Sequence, residues 1–289
     1  MTDRVFTVGV ALLIASGLCS SPLTAQETKV QAPPECASPL DLHDGWSIDT
    51  PEALGFDRPQ LCGLVDRLRE ADDVHSVVVA RHGRLVFERY FSGYDEPWGH
   101  DDKRYEFDAK MKHDMRSVSK SIISLLTGIA IDRRLIDGVD APVLQYFPEM
   151  ASVATKGWAD IKLSDLLTMS SGIAWDENLA WTDPKNDEPH LLSETDPIRY
   201  VLSKPIADAP GTRWNYTGGG VELLGAIIAR RSGQSLDKFA REALFGPLDI
   251  TDFEWQTYPN GKLSAASGLR LRPRDATKIG QLMLNRGVW

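Results

Sequence analysis

Residues 117–131 (SVSKSIISLLTGIAI) constrain this chain more than any other segment. Beyond Lys120 the run is apolar almost all round, and a helix without a polar face belongs inside a protein. The fold must therefore wrap a central helix whose first turn carries a serine and a lysine. A chain of 289 residues with 42% hydrophobic content can bury such a helix, as one large domain or two small ones. Its 25% charged residues argue against wholesale disorder.

The segments around that helix read clearly in places. Residues 59–70 place Leu61, Leu64, Val65 and Leu68 at helical spacing. Residues 77–81 (VVVAR) and 84–91 (RLVFERYF) flank His82-Gly83, which predicts a β-hairpin with a two-residue turn. Residues 94–114 are charged and irregular and read as a loop. Residues 161–172 predict a helix with Ser164 as N-cap and Gly172 as terminator. Residues 175–190 read as a polar loop, and 195–204 as a short helix opened by Asp196 and Pro197. Val221, Leu224, Gly225 and Ile228 share a face of a helix that stops near Gly233, and another covers 235–245. Strand signals near 253–256 and 268–271 are weak. A lone hairpin needs partner strands, so the expectation is that strands completing the sheet lie beyond Trp289.

The N-terminus reads as an export signal over residues 1–25: Arg4, a short apolar run at 5–18, then Leu23-Thr24-Ala25 before Gln26. An uncleaved anchor and a lipid-modified Cys19 are the alternatives. Cleavage implies a periplasmic or secreted protein with no stable membrane span. Residues 26–58, rich in Pro, Asp and Ser, read as a mobile leader before a domain over 59–289. Cys36 and Cys62 would remain after export, and an oxidising compartment allows them to pair; two free thiols are the other reading. The net charge of −9 offers no footprint for nucleic acid or anionic lipid.

Ser-x-x-Lys occurs twice, at Ser117–Lys120 and Ser235–Lys238. Ser235 opens an amphipathic helix and reads as an N-cap, with Lys238 in solvent. At the first copy, Lys120 falls one turn after Ser117 on the same helix face, at an end that the apolar residues after it should bury. Burial penalises an ammonium relative to a neutral amine, and a neutral amine can take a serine proton. The helix N-terminus adds positive potential where an oxyanion would form. An ordinary N-cap with a snorkelling lysine fits the same residues.

The surrounding segments bear on that choice. Residues 115–122 (MRSVSKSI) resemble the nucleophile segment of the serine β-lactamase and penicillin-binding-protein superfamily. They look most like its class C β-lactamase-related branch, which includes esterases, D-amino-acid peptidases and nylon-oligomer hydrolases. Residues 166–172 (LLTMSSG), Pro210-Gly211-Thr212 with Trp214-Asn215-Tyr216, 244–248 (LFGPL) and 268–275 (GLRLRPRD) are similar to later landmarks of that family, in the same order. The resemblance implies an α/β (α+β) fold: an antiparallel sheet flanked by helices, with an inserted helical region. It implies Ser117 as nucleophile, Lys120 as base and Tyr216 as the tyrosine that relays protons to the leaving group. The substrate would be a small ester, amide or β-lactam. No metal or organic cofactor is implied.

Two departures stand out. Gly218 takes the place of the asparagine in the family's Tyr-x-Asn motif, so the side-chain amide that holds a substrate carbonyl is absent. That fits esterase-like or amidase-like relatives better than a β-lactam specialist. The family's third motif, a Lys-Thr-Gly or His-x-Gly strand, would fall after Trp289, hence the expectation of a chain shortened at its C-terminus. A peptidase or β-lactamase, and a catalytically inactive envelope-binding protein, are the rival readings. Gly218 and Trp175 are candidate substrate contacts, although Trp158, Trp175, Trp181 and Trp214 could equally pack inward. Gly218-Gly219-Gly220 lacks the Lys-Ser/Thr of a phosphate-binding loop. No histidine has zinc-protease spacing, and no Gly-x-Ser-x-Gly elbow occurs.

Overall fold

The computed structural model describes residues 37–68, 71, 73–100 and 102–289. The expected export signal, the first part of the leader and Cys36 lie outside them. Cys62 is disulfide-bonded.

In chain order the elements are β1 (Ser47–Ile48), α1 (Arg58–Leu68), β2 (Ser76–Arg81), β3 (Arg84–Tyr90), β4 (Ser92–Asp95), β5 (Lys103–Glu106), β6 (His113–Asp114) and α2 (Val118–Asp132). They continue with α3 (Leu163–Leu167), α4 (Asp187–Ser193), α5 (Pro197–Leu202), α6 (Gly218–Ser232), α7 (Leu236–Ala240), β7 (Glu254–Trp255), β8 (Leu269–Leu271) and α8 (Pro273–Leu284). The strands form three small sheets, ordered β1-β3-β2, β4-β5 and β6-β8-β7. All pairings are antiparallel except β1 with β3. The fold is mixed α/β, as expected.

The hairpin forms where the sequence places it. His82 (φ 52°) and Gly83 (φ 73°) both take the left-handed backbone that a two-residue turn of matching twist requires. Leu85 to Arg89 are all buried because β3 is the middle strand of its sheet. Val65 of α1 packs on Val86 and Phe87 there, flanked by Leu61, Val77 and Val79.

The helix that opened the sequence analysis is α2, with Ile122, Ile123, Leu126 and Ala130 at zero exposure. It packs against α6, in one core shared with α3, α5, α7 and α8. α6 ends at Gly233, left-handed at φ 68°. α5 opens as predicted, with Asp196 accepting from the Arg199 N–H at 3.1 Å.

Three expectations change. The leader is packed from Ala37 onward. Trp46 is buried, its indole N–H donates to the Arg274 carbonyl at 3.2 Å, and β1 pairs with β3. Buried Arg274 fixes this seam, donating to Glu88 at 2.7 Å, to Asp44 at 3.1 Å and to the Leu40 carbonyl at 2.8 Å. A Pro- and Asp-rich composition conceals such a seam because one Trp and ion pairs from distant residues build it.

The charged stretch 94–114 is not a plain loop either. It contributes the end of β4, all of β5 and β6. The β4-β5 ribbon is largely exposed on β5, so no apolar alternation announces it; Lys103 lies over the Tyr105 ring and Arg104 over Tyr94 instead. Lastly, α3 stops at Leu167, and neither predicted terminus is used. Asp165 accepts from the Lys162 N–H at 2.8 Å, and Met169 is left-handed at φ 56°. Gly172 serves a different purpose: a Cβ there would lie 2.0 Å from the Asp208 carbonyl oxygen.

Candidate active site

The site is assembled at the N-terminus of α2, where β6 hands the chain to the helix. The Met115 N–H donates to the Leu269 carbonyl at 2.8 Å, extending the β6-β8 pairing. Arg116 then takes a left-handed backbone, φ 42°, a conformation costly for a residue with a Cβ. Its guanidinium lies 3.2 Å from Asp114, which also accepts from the Trp98 N–H at 2.7 Å. The turn at Arg116 brings Ser117 to the N-cap position with helical torsions, φ −67° and ψ −10°, and its hydroxyl caps nothing. Ser117 is exposed. Its backbone N–H donates to no described residue, which leaves it available at the positive end of the helix.

Lys120 lies behind the serine. Its Nζ donates to Ser117 Oγ at 3.1 Å and to the Ala266 carbonyl at 3.2 Å, and sits 4.9 Å from the centroid of the Tyr216 ring. Lys120 is 9% exposed, so the amine is held between a hydroxyl, a carbonyl and an aromatic face and not by water. The structure therefore brings Ser117, Lys120 and Tyr216 together, although no hydrogen bond joins the Tyr216 hydroxyl to either partner among the described residues.

Tyr216 rides on a loop pinned to the turn after α3. The Asn215 N–H donates to the Met169 carbonyl at 2.7 Å, the Gly211 N–H to that of Ser170 at 2.8 Å, and Asn215 Nδ2 to that of Trp175 at 2.9 Å. These bonds give structural content to the Leu-Leu-Thr-Met-Ser-Ser-Gly and Pro-Gly-Thr segments, since each holds the other in place.

The two candidate substrate contacts are corrected. Gly218 is buried, and its N–H is spent on Glu177 Oε2 at 2.7 Å. The same Glu177 oxygen accepts the Trp175 indole N–H at 2.6 Å. Trp175 is a core residue, packed so closely on Gly219 that a Cβ there would meet its ring at 2.8 Å. A Cβ on Gly218 would lie 2.9 Å from the Glu177 carboxylate. The Glu177 carboxylate thus lies against the face from which a side chain at 218 would project. Trp158 is likewise buried, whereas Trp181 and Trp214 are exposed.

Besides Glu177, two further glutamates have no precedent in the sequence reading. Glu222 of α6 accepts from the Ala265 N–H at 3.0 Å and the Ala266 N–H at 2.8 Å, and so fixes the loop whose Ala266 carbonyl receives Lys120. Burial pushes its carboxyl above the usual glutamate range, partly offset by the two N–H donors and the charge of Lys120. Gly225, one turn later, lets the loop approach: a Cβ there would lie 2.6 Å from Ala265 Cβ. A buried glutamate among Leu and Gly on a helix was the available signal. Glu188, half-buried on α4, is also raised, first by burial and then by Glu177, against the pull of Lys120 and Arg116. Its chain neighbours gave no sign that it senses the charges of Lys120 and Arg116.

Comparison with known proteins identifies the family. The chain is 28% identical over 191 residues to the lovastatin esterase of Penicillium rubens, covering 58% of this chain and 46% of the esterase. It is 27% identical over 226 residues to esterase EstB of Burkholderia gladioli, covering 71% of this chain and 54% of EstB. It thus spans about half the length of these curated relatives. Its fold is similar to that of the octameric penicillin-binding protein homologue from Pyrococcus abyssi, with TM-score 0.61 and 18% identity over 81% of this chain and 57% of the other. The Beta-lactamase family model matches residues 64–284, most of the described body, and the chain belongs to that family.

Proposed function

We propose that this chain is the catalytic part of a serine hydrolase that cleaves small esters or amides through an acyl-enzyme on Ser117. One observation carries the reading: a buried lysine amine 3.1 Å from the hydroxyl of an exposed serine at a helix N-terminus. Ser117 Oγ attacks the substrate carbonyl, and its proton passes to Lys120 Nζ. Negative charge on the carbonyl oxygen forms beside the free Ser117 N–H and the α2 N-terminus, which stabilise it. The proton then moves to the leaving alcohol or amine, with Tyr216 positioned against Lys120 to relay it. Water attacks the acyl-enzyme, gives its proton back through Lys120, and frees the acid.

The esterase relatives and the loss of the asparagine amide at Gly218 favour esters over β-lactams. Export to the periplasm or medium, by residues 1–25, belongs to the same proposal and is tested by fractionating cells that express the chain. The test of the chemistry is intact-mass spectrometry after a fluorophosphonate, beside Ser117→Ala. A single adduct on the parent alone is expected. Folded protein without an adduct would favour the binding-protein reading. Faster turnover of nitrocefin than of p-nitrophenyl esters would favour a β-lactamase.

A further inference from the structure

Five histidines precede the nucleophile, and the sequence gives none of them a partner. The fold brings two together. His75, just before β2, and His113, on β6, turn their rings toward each other with the Nδ1 atoms 3.3 Å apart. Asp95, at the end of β4, joins them, and one ligand atom from each of the three lies within 4.8 Å of the others. Asp95 and His113 come from two separate sheets, and His75 immediately precedes a strand of the third.

The geometry suits a metal better than it suits the bare side chains. Two ligands on a tetrahedral zinc with Zn–N bonds of about 2.0–2.1 Å stand about 3.3 Å apart, the separation of the two Nδ1 atoms. The outer Nε2 atoms of both rings are enclosed and bonded to nothing, so no outer hydrogen bond explains why the rings face inward. Phe107 holds them instead, stacked on His75 at 4.1 Å between centroids and tilted against His113 at 4.7 Å. The Asp95 carboxylate accepts no hydrogen bond among the described residues. The nearby cation, Arg270, is compensated: Asp114 lies 2.8 Å from it and Glu254 3.0 Å. A cavity of about 270 Å³ lined by Ser76, His113, Met115 and Thr277 opens beside His113.

We propose that His75, His113 and Asp95 form a binding site for a divalent transition-metal cation, of the zinc type, that fastens the β2-β3 sheet, the β4-β5 ribbon and β6 together. Without metal, one ring donates its Nδ1 proton to the other. On binding, that proton moves to the same ring's Nε2, both Nδ1 lone pairs meet the cation, and no proton is lost. Because β6 leads through Met115 to Ser117, the metal would brace the strand behind the nucleophile without touching substrate. Two imidazoles and one carboxylate are a borderline ligand set that zinc, cobalt and nickel all accept.

The test uses the full chain with any affinity tag removed and bound metal stripped by a chelator. After dialysis against Zn2+ and gel filtration, the parent and Ser117→Ala should each retain one equivalent of zinc. Co2+ should give the intense visible bands of a tetrahedral site. His113→Gln should lose the zinc, and Asp95→Asn, on an exposed ribbon, should weaken it by about tenfold or more. Zn2+ should raise the unfolding temperature of the parent and not of His113→Gln. Should His113→Gln fail to fold by circular dichroism, Asp95→Asn and His75→Gln decide. Zinc retention by the parent no greater than by folded variants, with no Co2+ bands, would overturn the proposal and leave a direct histidine–histidine hydrogen bond.

Discussion

The chain carries Ser-x-x-Lys twice, and the two copies share little beyond spacing. Ser117 has helical torsions after a left-handed Arg116, while Ser235 has extended torsions, φ −67° and ψ 152°, at the start of α7. Lys120 is buried against Ser117, Ala266 and Tyr216; Lys238 is exposed. Residues three apart on a helix always share a face, so the spacing supplies proximity only. What distinguishes a base from a surface lysine is the wall around it: a carbonyl from a distant loop, an aromatic face from another, and an apolar helix beneath.

The largest effect that separates the copies is removal of each serine. Ser117→Ala should abolish acylation and lower kcat by about four orders of magnitude or more. Ser235→Ala should leave kcat unchanged and shift urea unfolding by no more than about 0.5 kcal/mol, because the exposed Ser235 hydroxyl makes no capping hydrogen bond. Comparable losses from both would mean that the two copies are not functionally distinct. The lysines come next. Lys120→Met, close in volume, should lower kcat by about 10²–10⁴ with circular dichroism unchanged, and Lys238→Met should do nothing measurable. A Lys120→Met enzyme within threefold of the parent would remove Lys120 as the base.

The wall itself gives the third prediction. Glu222→Gln keeps shape but replaces one acceptor with an NH2 facing a backbone N–H, so a buried donor loses its partner. The expected cost is about 1–3 kcal/mol, with kcat reduced more than KM is raised, because the Ala266 carbonyl that holds Lys120 moves. The pH dependence has a defined sign. The Glu222 carboxyl is raised in the folded protein, chiefly by burial, so the fold binds its proton more tightly than the unfolded chain does. Its contribution therefore weakens as pH rises from the ordinary glutamate range through the raised folded value, and Glu222→Gln should flatten that part of the stability profile. A parent profile unchanged by the substitution would show that Glu222 does not titrate in this window.

These residues also show what a sequence displays and what it hides. Ser117, Lys120 and the helix beneath them were legible because local spacing and hydrophobicity are properties of adjacent residues. The hairpin was legible for the same reason, through His82-Gly83. Glu222, Glu177 and Glu188 were not, because each acts through a residue 40 or more positions away or through an unrelated element, as the Gly218 N–H to Glu177 bond shows. Trp175 reads from sequence as either a substrate contact or a core residue, because a tryptophan in a polar loop has no visible partner; Gly219 and Tyr200 supply one only in three dimensions. The leader was misjudged similarly, since Trp46 and Asp44 meet Arg274 only after the chain has closed on itself.

The smallest effect tests what the close approach of Glu177 imposes on Gly218. The Gly218 Cβ position is 2.9 Å from Glu177 Oε2 and its backbone is not left-handed, so the constraint is the carboxylate and not the torsion. Gly218→Ala should therefore cost about 1–3 kcal/mol as an overpacked site and lower kcat only severalfold, through a shift of the loop carrying Tyr216. Glu177→Ala should cost a comparable amount by leaving the Gly218 N–H and the Trp175 indole without an acceptor. If one contact carries both penalties, the double variant should be less destabilised than the sum of the singles. Glu177→Ala with Gly218→Asn should then admit the amide and raise nitrocefin turnover relative to ester turnover. Strict additivity in urea unfolding would mean that Glu177 and Gly218 are independent, and that the glycine answers to some other neighbour.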